Sequence, residues 1–340
     1  HETVYDPHLP KSQKDLFTEG WFVETMPDLN QKNPFVATYL KQVSLWWIEY
    51  ANLSSLRIDT YPYVDKKFTS QWSKTIMNEY PNFVFFGEAW MTNPTTVSYW
   101  QKGSKTYDDY QSYIPSMKDF PLQKSLITGL LSKDSWDTGI GNIYRTLAND
   151  FQYGNPYNLV IFAGNHDMQR TFSQLDERLD LLKMALSFIA TTRGIPQIYA
   201  GTEIAMPSTE DHGELRRDFP GGWEDDKVNA FDDIGLSSTQ IETKSFVKKL
   251  LNWRKTKKVI HYGKLMQFTP YSNGIYSYVR YDDNNVVMIV FNSENKSKVI
   301  ELKRYQEIIK DFNIAYDIVS EKEFNLNKDF QIPAKTAYVL

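Results

Sequence analysis

Short apolar runs alternate with helical patterns along the first 260 residues of the chain. The runs at 83–86 and 159–164 are apolar throughout, which is typical of strands buried on both faces of a parallel sheet. Apolar residues three or four positions apart predict helices over 34–52, 67–80 and 176–192. This alternation predicts parallel βα units.

The pattern changes at both ends of the chain. Residues 1–33 carry scattered Pro, Asp, Gly and Asn, and they predict no regular element. Beyond about residue 262 the chain has short strand patterns separated by turn residues. These predict a small antiparallel β-sandwich domain over 263–340, after a β/α domain over 1–262. The predicted strands are 265–268, 275–281, 286–291, 299–302 and 336–340.

A further short strand, which ends at Asp59, carries charged residues. Arg57 and Asp59 are two residues apart in an extended segment, so their side chains point to the same side. The segment Tyr61-Pro62-Tyr63 cannot continue a central strand. Taken alone, the pair is better explained as an exposed ion pair at a loop edge.

Two further acids follow later strands in the same way. Glu88 follows the run at 83–86, and Asp167 follows the run at 159–164. Because parallel strands place their carboxyl ends on one side, the three acids are predicted to converge on one mouth of a barrel. Taken singly, Glu88 could be a helix cap or part of an ion pair, and Asp167 could be the N-cap of the following helix. His166 could be a histidine in the core. The recurrence at three strand ends favours a site.

Glycosidic cleavage needs one carboxylate as nucleophile and one carboxylic acid that protonates the leaving oxygen. Arg57 should keep Asp59 ionised, whereas the pKa of Glu88, which faces other acids, should be raised so that it keeps its proton. Three carboxylates also suit a metal site. Arg57 argues against that alternative because it adds positive charge where a cation would lie.

Composition narrows the classes further. The chain is 41% hydrophobic and 24% charged, and its net charge of −4 gives no reason to expect binding to nucleic acid or an anionic membrane. No apolar run approaches the ~20 residues of a membrane-spanning helix. The absence of cysteine excludes disulfides and zinc–thiolate sites. The 9 Trp and 22 Tyr fit both core packing and a cleft that stacks sugar rings. The segment His1-Glu2-Thr3-Val4 does not resemble a signal peptide, a removed or further upstream one being left open, and export is slightly favoured over a cytoplasmic location.

Three ordered motifs resemble a known family. Leu-Arg-Ile-Asp-Thr at 56–60, Gly-Glu-Ala-Trp at 87–90 and Gly-Asn-His-Asp at 164–167 are similar to signature segments of the α-amylase family of glycoside hydrolases. Met-Pro-Asp-Leu-Asn at 26–30 resembles a segment of its neopullulanase and cyclomaltodextrinase branch, as do residues 194–203 and 215–223. The resemblance implies a (β/α)8-type (TIM) barrel followed by the β-sandwich.

The resemblance also implies a role for each site residue. Asp59 would be the nucleophile, and Glu88 the general acid and base. Asp167 would bind the 2- and 3-hydroxyls of a distorted sugar and stabilise the transition state. Arg57 would orient Asp59, and His166 would bind hydroxyls beside Asp167.

Further substrate contacts are expected from Trp90, Tyr61, Trp21 and Asn165, with core packing left open for the three aromatics. The implied reaction is hydrolysis of α-1,4-linked glucans such as starch oligosaccharides, pullulan or cyclodextrins, with retention. A non-catalytic glucan-binding protein and an α-glucan transglycosylase are the alternatives.

The barrel is expected to be incomplete. Only 58 residues precede Asp59, which would end the fourth strand, and a βα unit takes about 30 residues. The chain should therefore hold about strands 4–8 and show little activity alone. Its expected partners are an α-glucan and either a second copy or a chain that supplies the missing strands. The residues present require no cofactor and give no metal site, although family resemblance allows calcium in a full-length member.

Overall fold

The computed structural model of the chain describes residues 6–340, which form two compact units. The first unit contains the residues up to Pro121 together with Ala148–Ile161. The second contains Leu122–Leu147 and Phe162–Leu340. Each unit has its own hydrophobic core.

The first unit alternates helices with strands, as the sequence predicts. Asn33 caps its longest helix by accepting a hydrogen bond from the Phe35 amide at 2.9 Å, and Pro34 occupies the first turn. Asp65 caps the next helix by accepting from the Phe68 amide at 2.8 Å. The elements are α1 (Lys11–Glu19), α2 (Pro34–Ala51), β1 (Ser55–Ile58), α3 (Lys66–Glu79), β2 (Val84–Gly87), α4 (Pro94–Ser98) and β3 (Ser116–Met117).

The strands of this unit form a parallel sheet in the order β1-β2-β3. Ile58 pairs with Gly87, and Gly87 pairs with Met117. A further parallel bridge joins Lys118 to Val160. The carboxyl ends of the three strands therefore meet at one edge, which is where the predicted acids follow β1 and β2.

Large apolar side chains hold the sheet against its helices. Ile76 of α3, Phe85 of β2 and Trp100 are fully buried in one core cluster. Each buried side chain of this kind contributes about 1.5–3 kcal/mol to folding. The helix α2 differs, because among its described residues only Ile48 is buried.

The second unit begins with helices. Nearly every residue of the helix Leu179–Thr191 is buried, which explains why the apolar pattern predicted this helix so clearly. Ser237 and Gln240 form a capping box at the start of another long helix. The helices and strands of residues 120–262 are α5 (Phe120–Leu131), α6 (Gly141–Leu147), β4 (Val160–Phe162), which crosses the division between units, α7 (Thr171–Gln174), α8 (Leu179–Thr191), β5 (Ile195–Gln197), α9 (His212–Leu215), α10 (Ser238–Lys255) and α11 (Lys258–Tyr262).

The second unit ends in antiparallel β-structure, as predicted. Four strands form one sheet in the order β13-β8-β7-β6, and β9 pairs with β12 and β10 with β11. The elements are β6 (Lys264–Phe268), β7 (Ile275–Tyr281), β8 (Val286–Asn292), β9 (Lys298–Ile300), α12 (Gln306–Ile309), β10 (Ile314–Asp317), β11 (Lys322–Asn325), β12 (Phe330–Ile332) and β13 (Thr336–Val339).

The structure corrects the sequence prediction at several elements. The prediction of an irregular segment over 1–33 is wrong for α1, a helix with no buried residue and so with no apolar stripe to detect. The pattern also missed α5, which carries Pro121 and Gly129, both poor helix formers. The strands β10, β11 and β12, each three or four residues long, were also missed.

Two predictions are not decided by these elements. The boundary between 1–262 and 263–340 stays a prediction, and the segment His1-Glu2-Thr3-Val4 lies outside the described residues. Across residues 6–340, no helix combines the length and apolar character that crossing a bilayer requires.

Candidate active site

The ends of β1 and β2 bring Arg57, Asp59 and Glu88 together. Asp59 and Glu88 are the first residues after their strands, and the Glu88 amide donates to the Ile58 carbonyl at 2.8 Å. Thr60 then takes a left-handed conformation, with φ of 43°, which turns the chain out of the sheet. At Gly87, a Cβ atom would meet Met117 Sδ at 2.9 Å, so a residue without a side chain lets β3 lie close beside Glu88.

One guanidinium contacts both carboxylates. Arg57 Nη2 lies 2.6 Å from Glu88 Oε2 and 3.2 Å from Asp59 Oδ1. The Glu88 side chain is 7% exposed, whereas that of Asp59 is 60% exposed. The shared cation therefore holds one buried and one accessible carboxylate side by side.

A second cation at this site was missed by sequence reasoning. Lys118 directly follows β3, its side chain is 1% exposed, and its Nζ lies 3.4 Å from Glu88 Oε1. Lysine is rarely buried unless it is paired. The available signal was the position of Lys118 after a third parallel strand, but β3 has only two residues and its apolar pattern is weak.

The environment of Glu88 favours its protonated form. Burial raises the pKa of Glu88, and a hydrogen bond with Asp59 raises it further, while Lys118 and Arg57 oppose the rise. The predicted upward direction is confirmed. Burial is the largest cause, and the neighbouring acid, which was the predicted cause, comes second.

The second unit holds the remaining polar residues after β4. Asn165 is buried, and its Oδ1 accepts a hydrogen bond from the Asp167 amide at 2.9 Å. His166 Nε2 lies 3.1 Å from Asp167 Oδ2. Arg216, which the sequence analysis gave no role, binds Asp167 Oδ1 at 2.6 Å and donates from Nε to the His166 carbonyl at 3.2 Å.

The contacts of Asp167, His166 and Glu88 distinguish a functional role from a helix cap, a core position or a simple ion pair. The N-cap of α7 is Arg170, so Asp167 does not cap that helix. The His166 side chain is 36% exposed, which does not fit a core histidine. Glu88 is indeed ion-paired, within a group that also holds Asp59. The structure thus shows one group in each unit, and their convergence on one mouth stays a prediction.

The predicted sugar-contacting aromatics have different environments. Tyr61 is fully buried in the first core and packs edge-to-face on Trp100 at 5.7 Å. Its prediction as a substrate contact is wrong, because a sugar cannot reach a ring enclosed by core side chains. Trp90 is partly exposed and stacks on Phe120 at 5.1 Å, and Trp21 is exposed. Sugar contacts by Trp90, Trp21 and Asn165 stay predictions.

Residues 6–340 contain no group of three or more His, Cys, Asp or Glu side chains placed to hold a metal ion. The prediction that no cofactor is needed, like that of calcium in a longer family member, is left undecided by this observation.

Both parts of the chain match known families. Residues 11–257 match the catalytic domain of α-amylase, and residues 265–340 match the C-terminal domain of cyclo-malto-dextrinase. The chain therefore belongs to the α-amylase family. The match of residues 265–340 supports the predicted neopullulanase and cyclomaltodextrinase-like branch of that family.

Individual relatives agree with this assignment. The chain is 25% identical to a cyclomaltodextrinase of Thermoanaerobacter pseudethanolicus, covering 88% of this chain and 48% of that protein. It is 26% identical to α-amylase 2 of Dictyoglomus thermophilum, covering 89% of this chain and 52% of that one. The chain thus spans about half the length of these relatives.

A solved structure shows the fold. The α-amylase of Geobacillus thermoleovorans, solved in complex with acarbose, matches with a TM-score of 0.75 at 23% identity, covering 100% of this chain and 73% of that one. The predicted α-amylase family fold, a TIM-type barrel followed by a C-terminal domain, is confirmed. The predicted incompleteness of the barrel stays a prediction.

Proposed function

We propose that this chain is the catalytic part of a retaining glycoside hydrolase that acts on α-1,4-linked glucans. The observation that supports it best is the contact of one Arg57 nitrogen with both carboxylates, at 2.6 and 3.2 Å. Glu88 Oε2 and Asp59 Oδ1 can therefore lie no further apart than the sum of these two distances. Retaining glycosidases keep their carboxyl groups roughly 5–5.5 Å apart, whereas inverting ones need roughly 6.5–9.5 Å to admit a water molecule.

The two carboxylates divide the chemistry according to their environments. Asp59 is accessible and would attack the anomeric carbon, which forms a covalent glycosyl-enzyme as the leaving oxygen departs. Glu88 is buried, burial raises its pKa and so favours the protonated form, and it would give its proton to that oxygen. The resulting Glu88 carboxylate would then take a proton from the water that hydrolyses the intermediate.

Asp167 and His166 are proposed to bind sugar hydroxyls. Arg216 fixes one Asp167 oxygen and His166 lies beside the other, so the carboxylate has a defined orientation. A carboxylate can accept hydrogen bonds from two adjacent hydroxyl groups, and such bonds contribute to catalysis when they strengthen in the transition state.

The proposed substrate class rests on the names of the relatives, a cyclomaltodextrinase and an α-amylase. Starch oligosaccharides, cyclodextrins and pullulan are therefore the substrates to compare. The partly exposed ring of Trp90, which is stacked on Phe120, provides a flat apolar surface of the kind that sugar rings pack against.

The test is chromatographic separation of the products formed from maltoheptaose by the chain and by Asp59→Asn. Replacing the nucleophile should lower turnover on the order of a thousandfold or more, because the covalent step is lost. The exposed Asp137→Asn is the matched control, and it should leave turnover unchanged. Measurable turnover that is equal in Asp59→Asn and the unaltered chain would contradict the proposed mechanism.

The same products separate the alternative functions. Oligosaccharides longer than maltoheptaose would identify transglycosylation with the same residues. Binding of maltoheptaose without new products, unaffected by Asp59→Asn, would identify a non-catalytic glucan-binding protein.

We also propose that further parallel β/α units complete the barrel beside β1. In the sheet of the described residues, β1 is an edge strand. The neighbouring helix α2 exposes Phe35, Tyr39, Trp46 and Tyr50, which is an unusually aromatic face for a helix in contact with water. Parallel sheets are normally covered on both faces, and open edges are normally protected.

If a second copy supplies these units, the specific activity of the 340-residue chain should rise with its concentration, in step with the oligomer fraction measured by light scattering. If another polypeptide supplies them, the chain should stay inactive at every concentration. Robust starch or cyclodextrin hydrolysis by the monomer would contradict the proposal.

A further inference from the structure

The ammonium group of Lys118 is buried at the end of β3, where it meets the acid that the proposed function assigns to proton transfer. Its side chain is 1% exposed, and Nζ lies 3.4 Å from Glu88 Oε1. Arg57 contacts the other oxygen of the same carboxyl group at 2.6 Å. Each oxygen of Glu88 therefore has its own cation.

Burying the Lys118 ammonium group beside a carboxyl group that already has a cation is energetically unfavourable. Removing a lysine ammonium from water is unfavourable, and replacing a buried ion pair with apolar residues is often neutral or stabilising. One guanidinium already pairs with Glu88, so stability alone does not account for a second, almost fully buried cation. The position of Lys118 on the proton-carrying group suggests a role in the reaction.

We propose that Lys118 is a positioning residue that holds Glu88 Oε1 in place and stabilises the carboxylate left after Glu88 has given up its proton. This inference rests on the proposed role of Glu88 as acid and base. In that role Glu88 alternates between a neutral and an anionic form within one catalytic cycle. Burial favours the neutral form of Glu88. A fixed neighbouring cation offsets this preference because it stabilises the anionic form.

The charged groups that face Glu88 in the first unit agree with this role. Asp59 and Arg57 come from β1, and Lys118 comes from the end of β3. Among them Asp59 raises the pKa of Glu88, whereas Lys118 and Arg57 lower it. Arg57 contacts both Asp59 and Glu88, and Lys118 contacts Glu88 at its other oxygen.

Lys118 also connects Glu88 to the aromatic surface. Its Nζ lies 5.8 Å from the centre of the Phe120 ring, and Phe120 stacks on Trp90 at 5.1 Å. A cation near a ring face is attracted to it, which further restricts where the ammonium can lie. The same contacts thus fix Glu88 and the partly exposed Trp90 ring.

The experiment measures the titration of Glu88 in the full 340-residue chain by NMR, with glutamate labelled with ¹³C at the side-chain carboxyl and the Glu88 signal assigned through Glu88→Gln. In Lys118→Met the midpoint should rise on the order of one pH unit, because an opposite charge within ~4–6 Å has been removed. Lys118→Arg keeps the charge and should restore most of the original midpoint. Lys105→Met removes an exposed lysine of the same unit and should leave it unchanged.

The outcomes separate this inference from the proposed function. A midpoint in Lys118→Met equal to that of the unaltered chain overturns the role of Lys118, as does an equal shift in Lys118→Met and Lys118→Arg, since the effect would then come from packing. If Lys118→Met does not fold, Lys118→Gln receives the same measurement and the same criteria. A shifted midpoint in a chain whose glucan cleavage is unaffected by Glu88→Gln would instead support the effect of Lys118 on Glu88 and contradict the proposed role of Glu88 as acid and base.

Activity supplies a second measurement where cleavage occurs. The alkaline limb of the pH profile of kcat/KM, which reports the acid of the free enzyme, should move to higher pH in Lys118→Met and stay in place in Lys105→Met. A lower kcat with an unmoved limb would indicate a purely structural role for Lys118.

Discussion

Glu88 in the first unit and Asp167 in the second are both carboxylates held by two basic groups, but their surroundings differ. The Glu88 side chain is 7% exposed, and one of its cations, Lys118, is almost fully buried. The Asp167 side chain is 23% exposed, and the Arg216 side chain that binds it is 51% exposed. The same kind of ion pair is therefore buried in the first unit and partly exposed to solvent in the second.

This difference decides what each pairing can do. Charges interact several times more strongly in a protein interior than near water, where salt also screens them. Exposed ion pairs typically contribute about 0–1 kcal/mol, whereas breaking a buried pair is strongly destabilising. The Glu88 group is suited to setting a protonation state, and the Asp167 group to holding a hydrogen-bonding carboxylate in position.

The largest expected effect follows from removing the proton of Glu88. Glu88→Gln should lower kcat/KM on maltoheptaose by roughly two to four orders of magnitude, because a positioned general acid contributes about that much. On a 4-nitrophenyl maltoside the first step should be much less impaired, since that leaving group departs without protonation. The exposed Glu79→Gln is the control. Equal losses on both substrates would assign Glu88 a role other than proton donation.

Part of this site could be predicted because strand ends are visible in the sequence. The apolar runs before Glu88 and Asp167 are long enough to identify, and parallel pairing then fixes the edge at which each acid lies. The direction of the pKa shift of Glu88 was predicted from the neighbouring acids, whereas its burial, the larger cause, was not predicted.

The rest could not be read from the pattern. Lys118 follows a strand of two residues, too short to show a period, and a lysine normally indicates an exposed position. Tyr61 follows a strand end, where an aromatic ring can face either a cleft or the core. Only the tertiary packing against Trp100 shows that it lies in the core.

A smaller effect is expected from the exposed group. Arg216→Met should lower kcat/KM only a few-fold, mainly through KM, because the pair with Asp167 is partly screened by solvent. The difference from the unaltered chain should shrink as salt is added. The neighbouring Arg217→Met, which removes a cation that contacts Glu214 instead, serves as control. A hundredfold loss in kcat would show that the exposed pair acts as strongly as the buried one.

The smallest effect concerns stability, and it tests the buried environment without any substrate. Burial and the Asp59 hydrogen bond raise the pKa of Glu88 in the folded chain above its ordinary value of 4.5. For an acid with a raised folded-state pKa, the stabilising contribution is complete below the ordinary value and is lost as pH rises through the raised value. The free energy of unfolding of the unaltered chain should therefore fall relative to that of Glu88→Gln as pH rises from 4 into the neutral range, as measured by urea titration at each pH.

Asp167→Asn is the control, because it removes a carboxylate from the more exposed group. A difference between the unaltered chain and Glu88→Gln that stays constant or grows with pH would mean that folding does not favour protonated Glu88, and the contrast between the two groups would fail.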